Sequence, residues 1–126
     1  MGSAEQRPPR VLVVEDQMML GMYIVNLLED AGCTVIGPVA HVVTALPIAL
    51  REPLDAALLD VFLIDETVLP IAQVLERRGI PFALISAYSR EHIPVELRTR
   101  PYLAKPFMDR EIRSLVSHLV GGPGQS

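Results

Sequence analysis

The sequence predicts one α/β domain built on a mostly parallel sheet with helices on both faces. Two observations support this prediction. Short aliphatic runs alternate five times with segments of helical periodicity, and half of the 126 residues are hydrophobic, which is enough for one sizeable core. Alternation of this kind is typical of doubly wound sheets, whose functional sites form beyond the carboxyl ends of the strands.

The first half of the chain contains three predicted strands and two predicted helices. The run RVLVV at residues 10–14 is continuously apolar, as expected of a strand buried on both faces. Helical spacing follows and ends at Gly32, with apolar positions at Leu20, Tyr23, Ile24, Leu27, Leu28 and Ala31. A second strand is predicted at residues 34–36. A second helix follows, which Pro47 is expected to kink, with Val42, Ala45, Leu46, Ala49 and Leu50 on one face. Residues 56–60 form the third strand.

The second half repeats the alternation and contains one weak segment. A third helix is predicted before Gly79 from the spacing of Val68, Ile71, Ala72 and Leu75. Strands are predicted at residues 82–86 and 102–104, and the segment 89–98 between them is only weakly helical. The last helix is defined by Ile112, Leu115, Val116, Leu119 and Val120. We expect residues 10–120 to form the domain, residues 1–9 to be a disordered segment or a tag, and residues 121–126 to be a flexible tail.

Charge and cysteine content exclude several classes of function. Eleven basic and fifteen acidic residues give a net charge of −4, so no basic footprint for nucleic acid is expected. Cys33 is alone and has no metal-ligand spacing, which fits a reducing, cytoplasmic location. Residues 31–50 carry no acidic, Lys or Arg side chain and could span a bilayer by length. Their glycines and prolines favour a strand, a turn and a helix instead, and no membrane association is expected.

Five polar residues follow predicted strands and should converge at one edge of the sheet. Glu15 and Asp16 follow the first strand, and Asp60, Ser86 and Lys105 end the third, fourth and fifth. Three adjacent carboxylates repel one another unless protons or a cation neutralise them, and magnesium favours such oxygen ligands. With an ion bound, Asp60 could act as a carboxylate nucleophile on a phosphoryl group. The lysine and the serine hydroxyl could then contact the phosphoryl oxygens.

These residues resemble the motifs of bacterial response-regulator receiver domains. The resemblance covers about residues 10–120 and is found in VLVVED at 11–16, LLDV at 58–61, LISA at 84–87 and KPF at 105–107. It implies a flavodoxin-like sheet with strand order 2-1-3-4-5. It also implies that Asp60 accepts a phosphoryl group in a magnesium-dependent reaction, that Glu15 and Asp16 hold magnesium with Asp60, and that Phe62 contributes a backbone carbonyl. Ser86 and Tyr102 would form a switch pair.

The resemblance also implies partners. The phosphodonor would be a sensor histidine kinase or a histidine phosphotransfer protein, as in a phosphorelay. The signal would leave through a surface formed by the fourth helix, the fifth strand and the last helix, and a homodimer is left open. Pro81-Phe82 before the serine is similar to a branch of stand-alone receivers. Two departures are notable: the loop FLIDE at 62–66 lacks the usual Met-Pro, and the interval from Ser86 to Lys105 leaves little room for a regular helix.

Other readings of the same residues stay open. Glu15 and Asp16 could cap the first helix, and Asp60 could form a turn. Ser86 could be a hydrogen-bonded hydroxyl at the end of a strand, and Lys105 could be an ordinary loop cation. The four motifs together favour a phosphorylatable signalling switch that is not a turnover enzyme. A degenerate receiver that binds protein without phosphorylation is the alternative. An aspartyl-phosphate hydrolase is less favoured, because Phe62 stands where such enzymes usually place a second acid.

Overall fold

The computed structural model describes residues 7–121. The predicted disordered segment or tag at residues 1–9 and the predicted flexible tail at residues 121–126 fall mostly outside this range and stay predictions. The strands are β1 (Arg10–Val14), β2 (Thr34–Val39), β3 (Ala56–Asp60), β4 (Phe62–Leu63), β5 (Glu66–Thr67), β6 (Phe82–Ser86) and β7 (Tyr102–Ala104). The α-helices are α1 (Met18–Asp30), α2 (Val42–Arg51), α3 (Leu69–Arg78) and α4 (Asp109–Gly121).

The main sheet of the described residues has five strands, all parallel, in the order β2-β1-β3-β6-β7. Without the small β4–β5 hairpin, this is the predicted order 2-1-3-4-5, so the predicted doubly wound fold is confirmed. The central strand β3 is buried along its whole length. It therefore reads as a continuous apolar run rather than an alternating one.

Alternate residues of each strand supply two separate cores. Val11 and Val13 face the layer formed by α1 and α4, whereas Leu12 and Val14 face the layer formed by α2 and α3. This follows from the two-residue period of a strand, which sends successive side chains to opposite faces. The two layers fix β1 and β3 from both sides, so the residues that follow these strands have well-defined positions.

Most predicted elements agree with the structure, but several details differ. Helix α1 is followed by Gly32 and α3 by Gly79, as predicted, and both glycines have positive φ. Tyr23 and Leu50, expected on the buried faces of their helices, are 41% and 52% exposed. None of the helices within residues 7–121 combines the length and the apolar character that crossing a membrane requires.

The segment between β6 and β7 corrects one prediction. It contains two 3₁₀ turns, at Arg90–His92 and Val95–Leu97, and no α-helix lies between the two strands. The predicted partner surface therefore has no fourth helix, and only β7 and the last helix, α4, remain of it. Arginine side chains satisfy carbonyl groups that a helix would pair internally: Arg90 donates to the carbonyls of Arg98 and Arg100, and Arg98 donates to that of Ile93.

The end of β2 bends so that it supports the first acidic residue. Gly37 has φ of +129°, and a Cβ at this position would lie 2.5 Å from the carbonyl oxygen of Val13. The pairing of β1 with β2 shifts between Leu12 and Val14, and the backbone N–H of Glu15 then donates to the carbonyl of Val39 at 2.9 Å. Only glycine permits this close approach without strain, so Gly37 helps to place Glu15.

Candidate functional site

The carboxyl ends of β1, β3, β6 and β7 surround one cleft, as the sequence predicts. The cleft has a volume of about 410 Å³. Its lining consists of Asp16, Gln17, Asp60, Phe62, Leu63, Ile64, Ser86, Ala87, Tyr88 and Lys105. Two of the predicted site residues, Glu15 and Tyr102, are not part of this lining. Glu15 lies 3.2 Å from Lys105, and the Tyr102 hydroxyl contacts the lining at the backbone carbonyl of Tyr88.

Three carboxylates meet at the cleft. Ligand oxygens of Glu15, Asp16 and Asp60 all lie within 4.8 Å of one another. Glu15 is fully buried and Asp60 is 4% exposed, whereas Asp16 is half-buried. Like charges this close in a poorly solvated place are unfavourable without compensation. The cluster therefore requires protons or cations.

Lys105 supplies part of that compensation. Its Nζ lies 3.0 Å from Oδ2 of Asp60, to which it donates a hydrogen bond, and 3.2 Å from Oε1 of Glu15. Burial alone would lower the pKa of Lys105, but its hydrogen bond with Asp60 and the charges of Asp60 and Glu15 outweigh this effect, and the pKa is raised. The lysine therefore stays charged and holds Asp60 at the floor of the cleft.

Lys105 does not fully offset the effects that disfavour the charged form of Glu15. Burial, together with hydrogen bonding to Asp60 and the charge of Asp60, raises the pKa of Glu15 to about 7. The backbone N–H of Gln17 donates to Oε2 at 3.0 Å and, like Lys105, opposes this rise. Among the described residues, Oε1 of Glu15 accepts no hydrogen bond despite its complete burial. Its one charged neighbour is Nζ of Lys105 at 3.2 Å, and a proton or a metal ion would supply the further partner that a buried carboxylate oxygen needs.

The donor set fits a hard divalent cation. It offers only carboxylate oxygens, one of which accepts no hydrogen bond, and its charge exceeds what Lys105 neutralises. These are the properties of magnesium sites, which use one or two carboxylates and keep several waters. Phe62, predicted to add a backbone carbonyl, lines the same cleft.

The loop after Asp60 forms a hairpin that the sequence did not predict. Strands β4 and β5 pair antiparallel, and the turn between them places Asp65 at φ of +64°. The backbone N–H of Ile64 donates to Oδ2 of Asp16 at 2.7 Å. Asp16 is therefore hydrogen-bonded to the segment that follows Asp60.

Ser86 and Tyr102 are connected through a residue that sequence reasoning missed. Oγ of the buried Ser86 accepts a hydrogen bond from the backbone N–H of Tyr88 at 3.0 Å. The hydroxyl of Tyr102 donates to the backbone carbonyl of the same Tyr88. The ring of Tyr88 packs edge-on against Phe62, with centroids 5.1 Å apart. A side-chain hydroxyl two residues before an amide is a common local pairing, and this spacing was the available signal.

Comparison with known proteins finds relatives both among solved structures and among curated proteins. No protein-family model matches the chain. The solution structure of SdrG from Sphingomonas melonis Fr1 is 32% identical, with a TM-score of 0.78 over 90% of this chain and 97% of that chain. The receiver domain of sensor histidine kinase PA1611 from Pseudomonas aeruginosa PAO1, solved with magnesium in its active-site cleft, is 24% identical, with a TM-score of 0.80 over 91% of this chain and 99% of that chain.

Among curated proteins, the transcriptional regulatory protein BaeR of Escherichia coli O6:H1 is 27% identical over 92% of this chain and 50% of its own. The chain spans about half the length of the curated relatives it matches.

The parallel sheet, the cleft at its carboxyl edge and the SdrG relationship define a class of signalling domain. The chain belongs to the response-regulator receiver domains of two-component systems.

Proposed function

We propose that this receiver domain is phosphorylated on Asp60 by a phosphohistidine of a sensor histidine kinase or a histidine phosphotransfer protein. The observation that carries the proposal is the position of Asp60, which ends β3 at the floor of the cleft, 3.0 Å from the ammonium group of Lys105. In the transfer, the P–N bond of the donor breaks and a bond forms between phosphorus and a carboxylate oxygen of Asp60. The product is an acyl phosphate.

Each neighbouring residue has a role in this chemistry. Glu15, Asp16 and Asp60, with the backbone carbonyl of Phe62, would hold Mg²⁺. When bound, the ion offsets the negative charge of the carboxylates and of the incoming phosphoryl group. Lys105 is close enough to follow the transferred oxygens as a mobile point charge. The Ser86 hydroxyl lines the same cleft and can donate to a phosphoryl oxygen.

The signal would leave through the residues that follow Ser86. Because Oγ of Ser86 is bonded to Tyr88, a shift of Ser86 toward a phosphoryl oxygen also moves the carbonyl that anchors the Tyr102 hydroxyl. Beside Tyr102, a groove of about 510 Å³ between β7 and α4 offers a surface for a downstream protein. The switch therefore combines Ser86, Tyr88 and Tyr102 in place of a helical rearrangement.

Mass spectrometry after incubation with a small phosphodonor and Mg²⁺ tests the nucleophile. The wild type should gain one phosphoryl group, and Asp60→Asn should gain none. Asp65→Asn is the matched control: it removes an acid five residues away, at a positive φ that asparagine tolerates, and should be phosphorylated normally. Phosphorylation of Asp60→Asn at the wild-type rate would refute the assignment.

A second experiment separates the phosphorylated switch from a degenerate binding module. Replacing Glu15 with Gln and Asp16 with Asn should abolish the Mg²⁺ dependence and most of the phosphorylation while the fold is kept. Amide exchange with beryllium fluoride, a phosphoryl mimic, should change protection within residues 87–103. If the mimic binds and that region keeps its protection, the domain does not switch through Ser86 and Tyr102.

A further inference from the structure

Two hydrogen bonds to carboxylate side chains connect the β4–β5 hairpin and the rest of the domain, in addition to the packing of Phe62 against Tyr88. At its tip, the Ile64 N–H donates to Oδ2 of Asp16 at 2.7 Å. At the start of β5, Oε2 of Glu66 accepts a hydrogen bond from the backbone N–H of Val42, the first residue of α2, at 3.0 Å. The two anchors lie two residues apart in the chain and hold the hairpin between the acidic cluster and α2.

Helix α2 depends on Glu66 for its N-terminal cap. His41 occupies the N-cap position and makes no side-chain capping bond, and the first turn of α2 contains no acidic residue. The first N–H groups of a helix need acceptors and favour negative charge. The Glu66 carboxylate supplies an acceptor for the Val42 N–H and a negative charge from a distant part of the chain, and its side chain is partly buried.

The same hairpin orients a proposed metal ligand. A carboxylate has two oxygens, and on Asp16 the Ile64 N–H holds one of them, which leaves the other for an ion. Hydrogen bonds to ligating carboxylates fix their orientation, and their loss typically lowers metal affinity about 10-fold to 100-fold. Phe62, whose carbonyl is the other proposed ligand of this segment, lies in β4, which pairs with β5. The position of β5 therefore influences two ligands at once.

We propose that Glu66 is a positioning residue for the magnesium site: by binding the N-terminus of α2, it holds the hairpin so that Asp16 and Phe62 face the ion. This inference rests on the proposed function, because magnesium binding is its premise. Glu66 itself does not touch the ion or the phosphoryl group. Its effect should appear as a change in metal affinity that exceeds any change in overall stability.

Calorimetric titration of Mg²⁺ into the purified chain tests the proposal with three substitutions of Glu66 and one control. Glu66→Ala removes the acceptor, and Glu66→Asp keeps the charge but shortens the reach by one methylene. Both should weaken Mg²⁺ binding about 10-fold. Glu66→Gln keeps an acceptor oxygen and should stay within about 2-fold of the wild type. Glu76→Ala removes another acid, which pairs with Arg100 on the surface, and should leave the affinity unchanged.

Amide exchange in metal-free protein provides a readout that is independent of activity. Glu66→Ala and Glu66→Asp should accelerate exchange at Val42 and at Ile64, whereas a role confined to capping α2 would accelerate only Val42. If Glu66→Ala does not fold, Glu66→Asp serves the same comparison. Wild-type affinity in a folded Glu66→Ala or Glu66→Asp overturns the inference alone. A wild-type chain that binds no Mg²⁺ overturns the proposed function and this inference with it.

Discussion

The raised pKa of Glu15 should make the metal-free domain less stable as the pH rises. Burial and the proximity of Asp60 raise this pKa from an ordinary value of 4.5 to about 7. The folded state therefore binds the Glu15 proton more tightly than the unfolded state does. The stability that this proton contributes is fully present below pH 4.5 and is lost as the pH rises to about 7 and above.

The size of the effect follows from the two pKa values. Each pH unit between them corresponds to about 1.4 kcal/mol, so ionisation of Glu15 lowers the free energy of unfolding by at most about 3.5 kcal/mol. Glu15→Gln removes the ionisation and keeps a polar group of the same size. At pH 8 without metal, this variant should be more stable than the wild type by about 2–3 kcal/mol, and at pH 4.5 the two should be similar.

Urea unfolding between pH 4.5 and 8.5 in the presence of a chelator measures this directly. The surface variant Glu76→Gln should follow the wild-type curve, because that carboxylate is exposed to solvent. At pH 8, added Mg²⁺ should stabilise the wild-type protein more than it stabilises Glu15→Gln, since a bound ion replaces the proton that Glu15 has lost. If the free energies of unfolding of the wild type and Glu15→Gln change in parallel with pH, the argument that burial raises the pKa of Glu15 is wrong.

Three further predictions concern other parts of the domain. Gly37→Ala should destabilise the fold by at least about 3 kcal/mol, since it adds a clash to an unfavourable φ. Gly32→Ala should cost only about 1 kcal/mol, because Gly32 has a positive φ but a Cβ there would have no atom within 4 Å. Thermal unfolding of the two variants measures the difference. Lys105→Met should destabilise the metal-free protein at pH 8 by about 3 kcal/mol by leaving carboxylates without a cation, and equal stability in urea would contradict this. Tyr102→Phe should remove about 1 kcal/mol of local stability and accelerate amide exchange around Tyr88, with little change in the global unfolding midpoint.

The sequence predicted most of the sheet because each strand is specified by local information. The apolar runs at 10–14, 56–60 and 82–86 have no competing helical periodicity, and their bounds agree with the structure. The convergence of Glu15, Asp16, Asp60, Ser86 and Lys105 followed from one rule about parallel strands and did not require knowledge of side-chain geometry. Gly32 and Gly79 likewise predicted the ends of α1 and α3.

The segment between β6 and β7 shows where local information fails. Its sequence is weakly helical, yet the chain forms two 3₁₀ turns joined by arginine-to-carbonyl bonds. These bonds connect residues five to ten positions apart through side chains, and no periodic pattern records them. Short intervals limit helix formation, because fixing the first turn is unfavourable before later hydrogen bonds compensate.

The contacts of Glu66 show the same limit over a longer distance. The Glu66 carboxylate accepts a hydrogen bond from the N–H of Val42, which lies 24 residues earlier. The N–H of Ile64 donates a hydrogen bond to Asp16, which lies 48 residues earlier. A pattern read along the chain can place Asp16 at the sheet edge, but it cannot show which backbone amide holds one of its oxygens. Metal affinity depends on such partners as well as on the ligands themselves. The proposed ligands of this site could therefore be named from sequence, whereas the residue proposed to position them becomes visible only once the hairpin after Asp60 is seen to contact both the acidic cluster and α2.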